Sequence, residues 1–253
     1  MEMDFDLTNK VTIVTGASRG IGESIAKGMA DAGATVVLAS RKQEGVDAVA
    51  AAIIEKGGTA LPVACHTGKP EMVEALFKRV DEEFGRVDVL VNNAATNPYF
   101  GPMVGISESL YDKTFEVNTK GYFLMAQQAA SRMVEQGSGC MINIASVAGI
   151  SPSPMQGVYA MTKAAVIMMT KAFAKELAGA GIRCNAVCPG LTETKFAQVL
   201  IDSPEIYERY KAETPMARHA QPSEIVGAAL YLASDAASFT TGAVIVCDGG
   251  QTI

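Results

Sequence analysis

The sequence predicts an α/β fold: a single doubly wound domain built on a seven-stranded parallel sheet with helices on both faces. Two observations carry this prediction. Short, mostly apolar runs of strand length alternate along the chain with longer segments of helical period, as repeated strand-helix-strand units require. The strand-like runs are mostly apolar, four to six residues each, which suits strands of a parallel sheet covered on both faces. No Pro/Ser-rich linker, charge run or internal repeat interrupts the 253 residues, so one domain is expected over 1–253.

The elements follow in order. Residues 11–15 form the first strand and 21–32 the first helix, and 35–39 and 43–56 repeat the pattern. A third strand at 60–64 leads to a helix at 70–84 closed by Gly85, then to the apolar run 87–91. Further strands are expected at 140–145, 182–187 and 243–247, and further helices at 111–135, 158–179 and 222–234. The least patterned stretch is 191–218. A long irregular segment beside a ligand crevice predicts a substrate lid.

Composition narrows the function classes. The chain is 49% apolar and 19% charged, which is globular, and its net charge of -6 argues against a nucleic-acid partner. Cys65, Cys140, Cys184, Cys188 and Cys247 fit no zinc spacing, and only His66 and His219 are available to help them, so no metal is expected. The first ten residues carry no apolar signal core, no stretch approaches the length of a membrane span, and Gln251-Thr252-Ile253 is not a peroxisomal tripeptide. A cytoplasmic protein that does not enter membranes is the expectation.

Directly after the first strand comes Thr15-Gly16-Ala17-Ser18-Arg19-Gly20-Ile21-Gly22, opening a helix. A strand-to-helix turn free of large side chains lets backbone N–H groups and a helix N-terminus approach a pyrophosphate. Its spacing is G-x-x-x-G-x-G, which differs from the usual dinucleotide G-x-G-x-x-G. The second strand ends in Ser40-Arg41-Lys42, where an NAD site usually carries an acidic residue for the ribose 2′-hydroxyl. Arg41, joined by Arg19, suits a 2′-phosphate, so NADP(H) is the expected cofactor.

Tyr159 and Lys163 stand four residues apart and share one helix face. A nearby ammonium favours a phenolate, so Lys163 is expected to lower the Tyr159 pKa towards neutrality, where acid-base catalysis is efficient. The pair is a weak signal alone. Ser146, directly after a strand, adds weight because ligands of open α/β sheets bind at strand C-terminal ends.

Taken jointly, Thr15-Gly16-x-x-x-Gly20-Ile21-Gly22, Asn92-Asn93-Ala94, Asn118, Ser146, Tyr159-x-x-x-Lys163, Pro189-Gly190 and Asp248-Gly249-Gly250 resemble the short-chain dehydrogenase/reductase family over essentially the whole chain. The chain is also similar to that family's NADP-dependent carbonyl reductase and retinol dehydrogenase branch, through Ser40-Arg41-Lys42, Cys65-His66-Thr67-Gly68-Lys69, Asn97-Pro98-Tyr99-Phe100-Gly101 and Ser151-Pro152-Ser153-Pro154. The resemblance implies a Rossmann-type domain and a carbonyl/alcohol oxidoreductase with Asn118, Ser146, Tyr159 and Lys163 as its catalytic residues. Ser146 would hold the substrate carbonyl and Tyr159 would exchange its proton. Lys163 would bind ribose hydroxyls, and Asn118 would hold a water that reloads the proton.

The same resemblance implies cofactor contacts at Gly16, Ser18, Arg19, Gly20, Ile21, Gly22, Ser40, Arg41, Asn92 and Ala94, and at Pro189, Gly190, Leu191 and Thr192. His66 departs from the Asp often found at the adenine edge, and Ala95 stands where Gly is usual. Residues 97–103, 153–155 and Phe196 would border an apolar substrate crevice, suiting a bulky ketone or aldehyde. A homotetramer through helices 111–135 and 158–179 and through the last helix and strand is the implied assembly. The alternatives are a 3-oxoacyl thioester reductase and a catalytically silent NADP-binding sensor.

Overall fold

The computed structural model describes residues 5–195 and 197–253. The strands are β1 (Val11–Thr15), β2 (Thr35–Ser40), β3 (Thr59–Ala64), β4 (Val89–Asn92), β5 (Gly139–Ile144), β6 (Ile182–Pro189) and β7 (Val244–Cys247). They lie in the order β3-β2-β1-β4-β5-β6-β7, and every neighbouring pair is parallel. Chain direction across the sheet reverses between β1 and β4, and that switch point opens a crevice at the strand C-terminal ends.

Successive side chains of a strand face opposite sides, and in the central strands both sides are buried. Val14, Val36 and Leu38 pack with Ile25 and Met29 of α1 (Gly20–Asp31), Val46 and Ile53 of α2 (Gln43–Glu55), and Leu232. Ile13, Val37 and Ala39 face the other way, towards Leu76 and Phe77 of α3 (Pro70–Phe84) and towards Met125 and Met133. The alternation explains why the runs read as mostly apolar: the central strands have no exposed face, and their few polar residues, such as Asn92, Asn143 and Asn185, are buried.

Two segments differ from the sequence reading. The helix expected at 111–135 is α4 (Glu108–Phe115), a π-helical turn at Glu116–Lys120, and α5 (Gly121–Gln136). It starts earlier because Ser107 caps it, its hydroxyl accepting the Leu110 N–H at 3.4 Å. The stretch 191–218 is not irregular. It contains α7 (Gln198–Ile201) and α8 (Pro204–Glu213), with Pro204 at the start of α8. The remaining helices are α6 (Gly157–Leu177) and α9 (Val226–Ala233), the latter led in by a 3₁₀ turn at Pro222–Ile225.

Candidate active site

The crevice at the switch point is a cavity of about 560 Å³. Its floor is the glycine turn between β1 and α1. Gly16 and Gly20 both take positive φ, 66° and 60°, which glycine adopts without a Cβ penalty. A Cβ on Gly16 would lie 2.8 Å from Asn93 Nδ2 and 2.9 Å from Ala94 Cα, so the turn sits hard against the chain leaving β4.

That packing is fixed by hydrogen bonds. The Thr15 hydroxyl accepts the Asn93 and Ala94 N–H groups at 2.8 and 3.0 Å, and the Asn93 amide donates to the Thr15 carbonyl at 2.9 Å. Ser40 Oγ donates to Ser18 Oγ at 3.1 Å and ties the end of β2 to the same turn.

Ser18, Arg19, Gly20 and Ile21 line this end of the cavity with Ser40, Arg41 and His66. Arg19 and Arg41 are exposed, and neither forms an ion pair among the described residues. The His66 ring is occupied: Nδ1 accepts the Gly68 N–H at 3.1 Å, and Nε2 lies 3.1 Å from Lys113 Nζ. Burial, then the Lys113 charge, holds its pKa below the usual histidine range.

At the other end, Ser146, Tyr159 and Lys163 open on the same cavity. Ser146 follows β5 in extended conformation, its hydroxyl accepting the Ala148 N–H at 3.1 Å. It also hydrogen-bonds the Tyr159 hydroxyl. Tyr159 and Lys163 lie on one face of α6 and are 8% and 1% exposed. Lys163 Nζ donates to the Ile144 carbonyl at 2.7 Å and to Tyr122 Oη at 3.3 Å.

The expected electrostatic relation between Tyr159 and Lys163 is not the one found. Burial pushes the Tyr159 phenol up to about 12, only partly countered by the Ser146 hydrogen bond, and burial pushes the Lys163 ammonium down to about 7. The expectation that Lys163 lowers Tyr159 is therefore corrected. The ammonium lies 5.7 Å from the Tyr159 ring centre and donates to Ile144 and Tyr122, and burial of the phenol sets the direction of the shift.

The family model described as enoyl-(acyl carrier protein) reductase matches residues 16–252. The human protein "Dehydrogenase/reductase SDR family member 4" is 38% identical over 244 residues, covering 96% of this chain and 88% of that protein. An Arabidopsis thaliana relative, "Short-chain dehydrogenase/reductase SDRA", is 37% identical and covers 97% and 95%. The chain belongs to the short-chain dehydrogenase/reductase family. Among solved structures, a short-chain dehydrogenase/reductase from Mycobacterium marinum superposes with a TM-score of 0.93 at 38% identity, covering 98% of each chain. A gluconate 5-dehydrogenase from Burkholderia cenocepacia, solved with NADP and tartrate, gives 0.95 at 33% identity, covering 98% of this chain and 97% of that one. The protein is accordingly an oxidoreductase of the short-chain family.

Within this dehydrogenase/reductase, three of the expected site residues lie behind the cavity wall. Asn92 is buried between β4 and β5, donating to Asn143 Oδ1 at 3.1 Å and to the Tyr122 carbonyl at 3.2 Å, and it does not line the cavity. Asn93, named in the Asn92-Asn93-Ala94 motif but not among the expected cofactor contacts, does line it and holds the glycine turn. Gly22 also packs behind the turn, against Asn93 and the Gly16 carbonyl. Asn118 is fully buried in the π-helical turn. Its amide donates to the Thr96 carbonyl at 2.9 Å and to Thr162 Oγ1 at 3.1 Å, and it accepts the Thr96 N–H at 2.8 Å.

Ala94, Pro189, Gly190, Leu191 and Thr192 line the cavity as expected positions. Of residues 97–103 only Phe100 does so, because Tyr99 turns back to donate to the Pro102 carbonyl at 2.9 Å. Ser153, Pro154 and Met155 border it, joined from α7 and α8 by Leu200, Ile206 and Tyr210. Phe196 lies outside the described residues.

Proposed function

We propose that this short-chain dehydrogenase/reductase binds NADP(H) and interconverts an apolar ketone or aldehyde with its alcohol, using Tyr159 as general acid and base. The observation that carries the reading is one cavity with two chemically distinct ends. Unpaired Arg19 and Arg41 stand at one end and the Ser146–Tyr159 hydrogen bond with Lys163 at the other.

The residues present fit a dinucleotide. The tight turn at Gly16 and Gly20 offers backbone N–H groups and the N-terminus of α1 to a pyrophosphate, and the two guanidiniums suit a 2′-phosphate. The NADP present in the Burkholderia cenocepacia relative supports the choice of nucleotide. When bound, the nicotinamide supplies or accepts the hydride.

Ser146 orients the carbonyl oxygen, and Tyr159, protonated up to about pH 12, donates its proton as negative charge develops there. Lys163, with a pKa of about 7, carries charge in part at neutral pH, and its role in this reading is to hold the ribose hydroxyls of the cofactor. The Asn118 side chain is already committed to Thr96 and Thr162.

Phe100, Val147, Met155, Leu191, Leu200 and Ile206 give the substrate end an apolar wall. A second reading, a polyhydroxy acid, draws on the gluconate 5-dehydrogenase relative and on Arg209 and Gln251 in the same lining. The two separate in one assay: aromatic ketone, retinal, a 3-oxoacyl thioester, glucose and gluconate, each with both cofactors. Clear preference for glucose or gluconate overturns the apolar reading, and NADH serving as well as NADPH overturns the cofactor. NADPH binding without turnover of any carbonyl would leave a silent sensor.

Assembly as a homotetramer is proposed on the half-exposed apolar side chains Phe123 of α5 and Met161 and Met168 of α6, which a partner would cover. Sedimentation tests it. No described helix is long and apolar enough to cross a membrane. Five free thiols support placement in a reducing compartment such as the cytoplasm.

A further inference from the structure

Lys163 is an ammonium-bearing side chain with no ion-pair partner among the described residues, buried to 1% exposure. Something must hold it, because a buried charge without compensation is costly. Two oxygens do so: the Ile144 carbonyl at 2.7 Å and Tyr122 Oη at 3.3 Å. Tyr122 donates its own proton to Ile144 at 2.9 Å, which fixes the hydroxyl with an oxygen lone pair towards Nζ. The Tyr122 ring centre is 5.0 Å from Nζ, nearer than the 5.7 Å of Tyr159.

Tyr122 is itself held rigidly. It is 1% exposed, in the first turn of α5 directly after the π-helical turn. Its carbonyl accepts from Asn92, Asn92 also donates to Asn143, and Asn143 donates to Thr170 of α6 at 2.9 Å. The chain of bonds returns to the helix that carries Lys163, so α5, β4, β5 and α6 are tied together through one tyrosine. Burial keeps the Tyr122 phenol protonated well beyond its usual range, so it never competes as a base. The other polar groups around Nζ are the Tyr159 phenol and the buried Cys188 thiol of β6.

We propose that Tyr122 is a positioning residue for Lys163, its hydroxyl and ring face together fixing where the ammonium sits and how readily it holds its proton. The inference rests on Lys163 belonging to the reacting site, but its test does not depend on turnover. Lysine labelled with ¹³C at Cε reports the Lys163 titration in the protein without added nucleotide, the signal being identified by its loss in Lys163→Met. Tyr122→Phe keeps the ring and removes the hydroxyl. It is expected to lower the Lys163 midpoint by about half a pH unit or more, the size of effect for losing one of two acceptors on a cation. An unmoved midpoint in folded Tyr122→Phe overturns the proposal.

A wild-type measurement covers failure of the variant to fold. With tyrosine labelled at Cζ, the Tyr122 signal is expected to shift with the same midpoint as Lys163 and to lose that transition in Lys163→Met. A Tyr122 signal silent through the Lys163 titration overturns the proposal equally. Carbonyl turnover surviving in Tyr159→Phe would instead refute the reading of the site and leave the Tyr122 result standing.

Discussion

Lys163 sits in the interior at an energetic disadvantage, and replacing it gives a test with a magnitude. Its folded pKa of about 7 lies below the ordinary 10.5, so folding disfavours the charged form. A depression of about 3.5 units corresponds to roughly 5 kcal/mol as an upper bound. Replacing buried charge with an apolar side chain of similar size commonly stabilises by about 1–4 kcal/mol. Methionine matches the lysine stem, and the Ile144 carbonyl keeps the Tyr122 hydroxyl as donor, so Lys163→Met orphans no acceptor there.

The expected result for Lys163→Met at pH 7 is loss of turnover with a gain of about 2–4 kcal/mol, or roughly 5–10 °C in melting temperature. The sign with pH follows from the depressed folded pKa. Below about pH 7 lysine is protonated in both states and the penalty is fully present. It shrinks as pH rises through 7 and is gone above 10.5. The advantage of methionine is therefore expected to fall by roughly 2–3 kcal/mol between pH 7 and pH 9. Denaturant titrations at both pH values, without added nucleotide, measure it. A variant no more stable than the parent at pH 7, or an advantage independent of pH, refutes the reasoning.

Other expectations follow from the same geometry. Tyr159→Phe keeps the ring packing and removes the acid, so turnover is expected to fall by at least about 100-fold while NADPH binding, read by fluorescence, persists. Arg41→Ala is expected to weaken NADPH binding about 10- to 100-fold and leave NADH binding within about threefold, and equal losses would reject a 2′-phosphate contact. Gly22→Ala puts a methyl group onto Asn93 and the Gly16 carbonyl, so a loss of about 1–3 kcal/mol in stability is expected, and a neutral result would mean the turn moves freely.

All seven strands were legible because each is mostly apolar, the pattern that burial on two faces produces in the central strands. The glycine turn, Ser146, Tyr159 and Lys163 were legible because they lie where strands end and α6 begins. Four features were not. α8 has no fully buried residue, so its sequence carries no apolar stripe to read. Asn92 and Asn93 are equivalent as residue types; only the face on which β4 ends decides that Asn92 joins the interior network and Asn93 the cavity. The direction of the Tyr159 shift depended on burial and on where Lys163 points, and spacing along a helix contains neither. Tyr122 was invisible for the same reason: 41 positions separate it from the lysine it holds.

The π-helical turn between α4 and α5 makes length, rather than residue identity, the sensitive variable in this part of the chain. One helical residue subtends about 100° around the axis. Deleting a single residue within 116–120 and restoring a regular helix would therefore swing the preceding helix by more than a quarter turn relative to α5. Asn118 would leave Thr96 and Thr162, while the surface of α4 would turn away from α6. A point substitution cannot do that. Across relatives of this chain, insertions and deletions in this helix would consequently mark changes in catalytic architecture more sharply than amino-acid exchanges at the same positions.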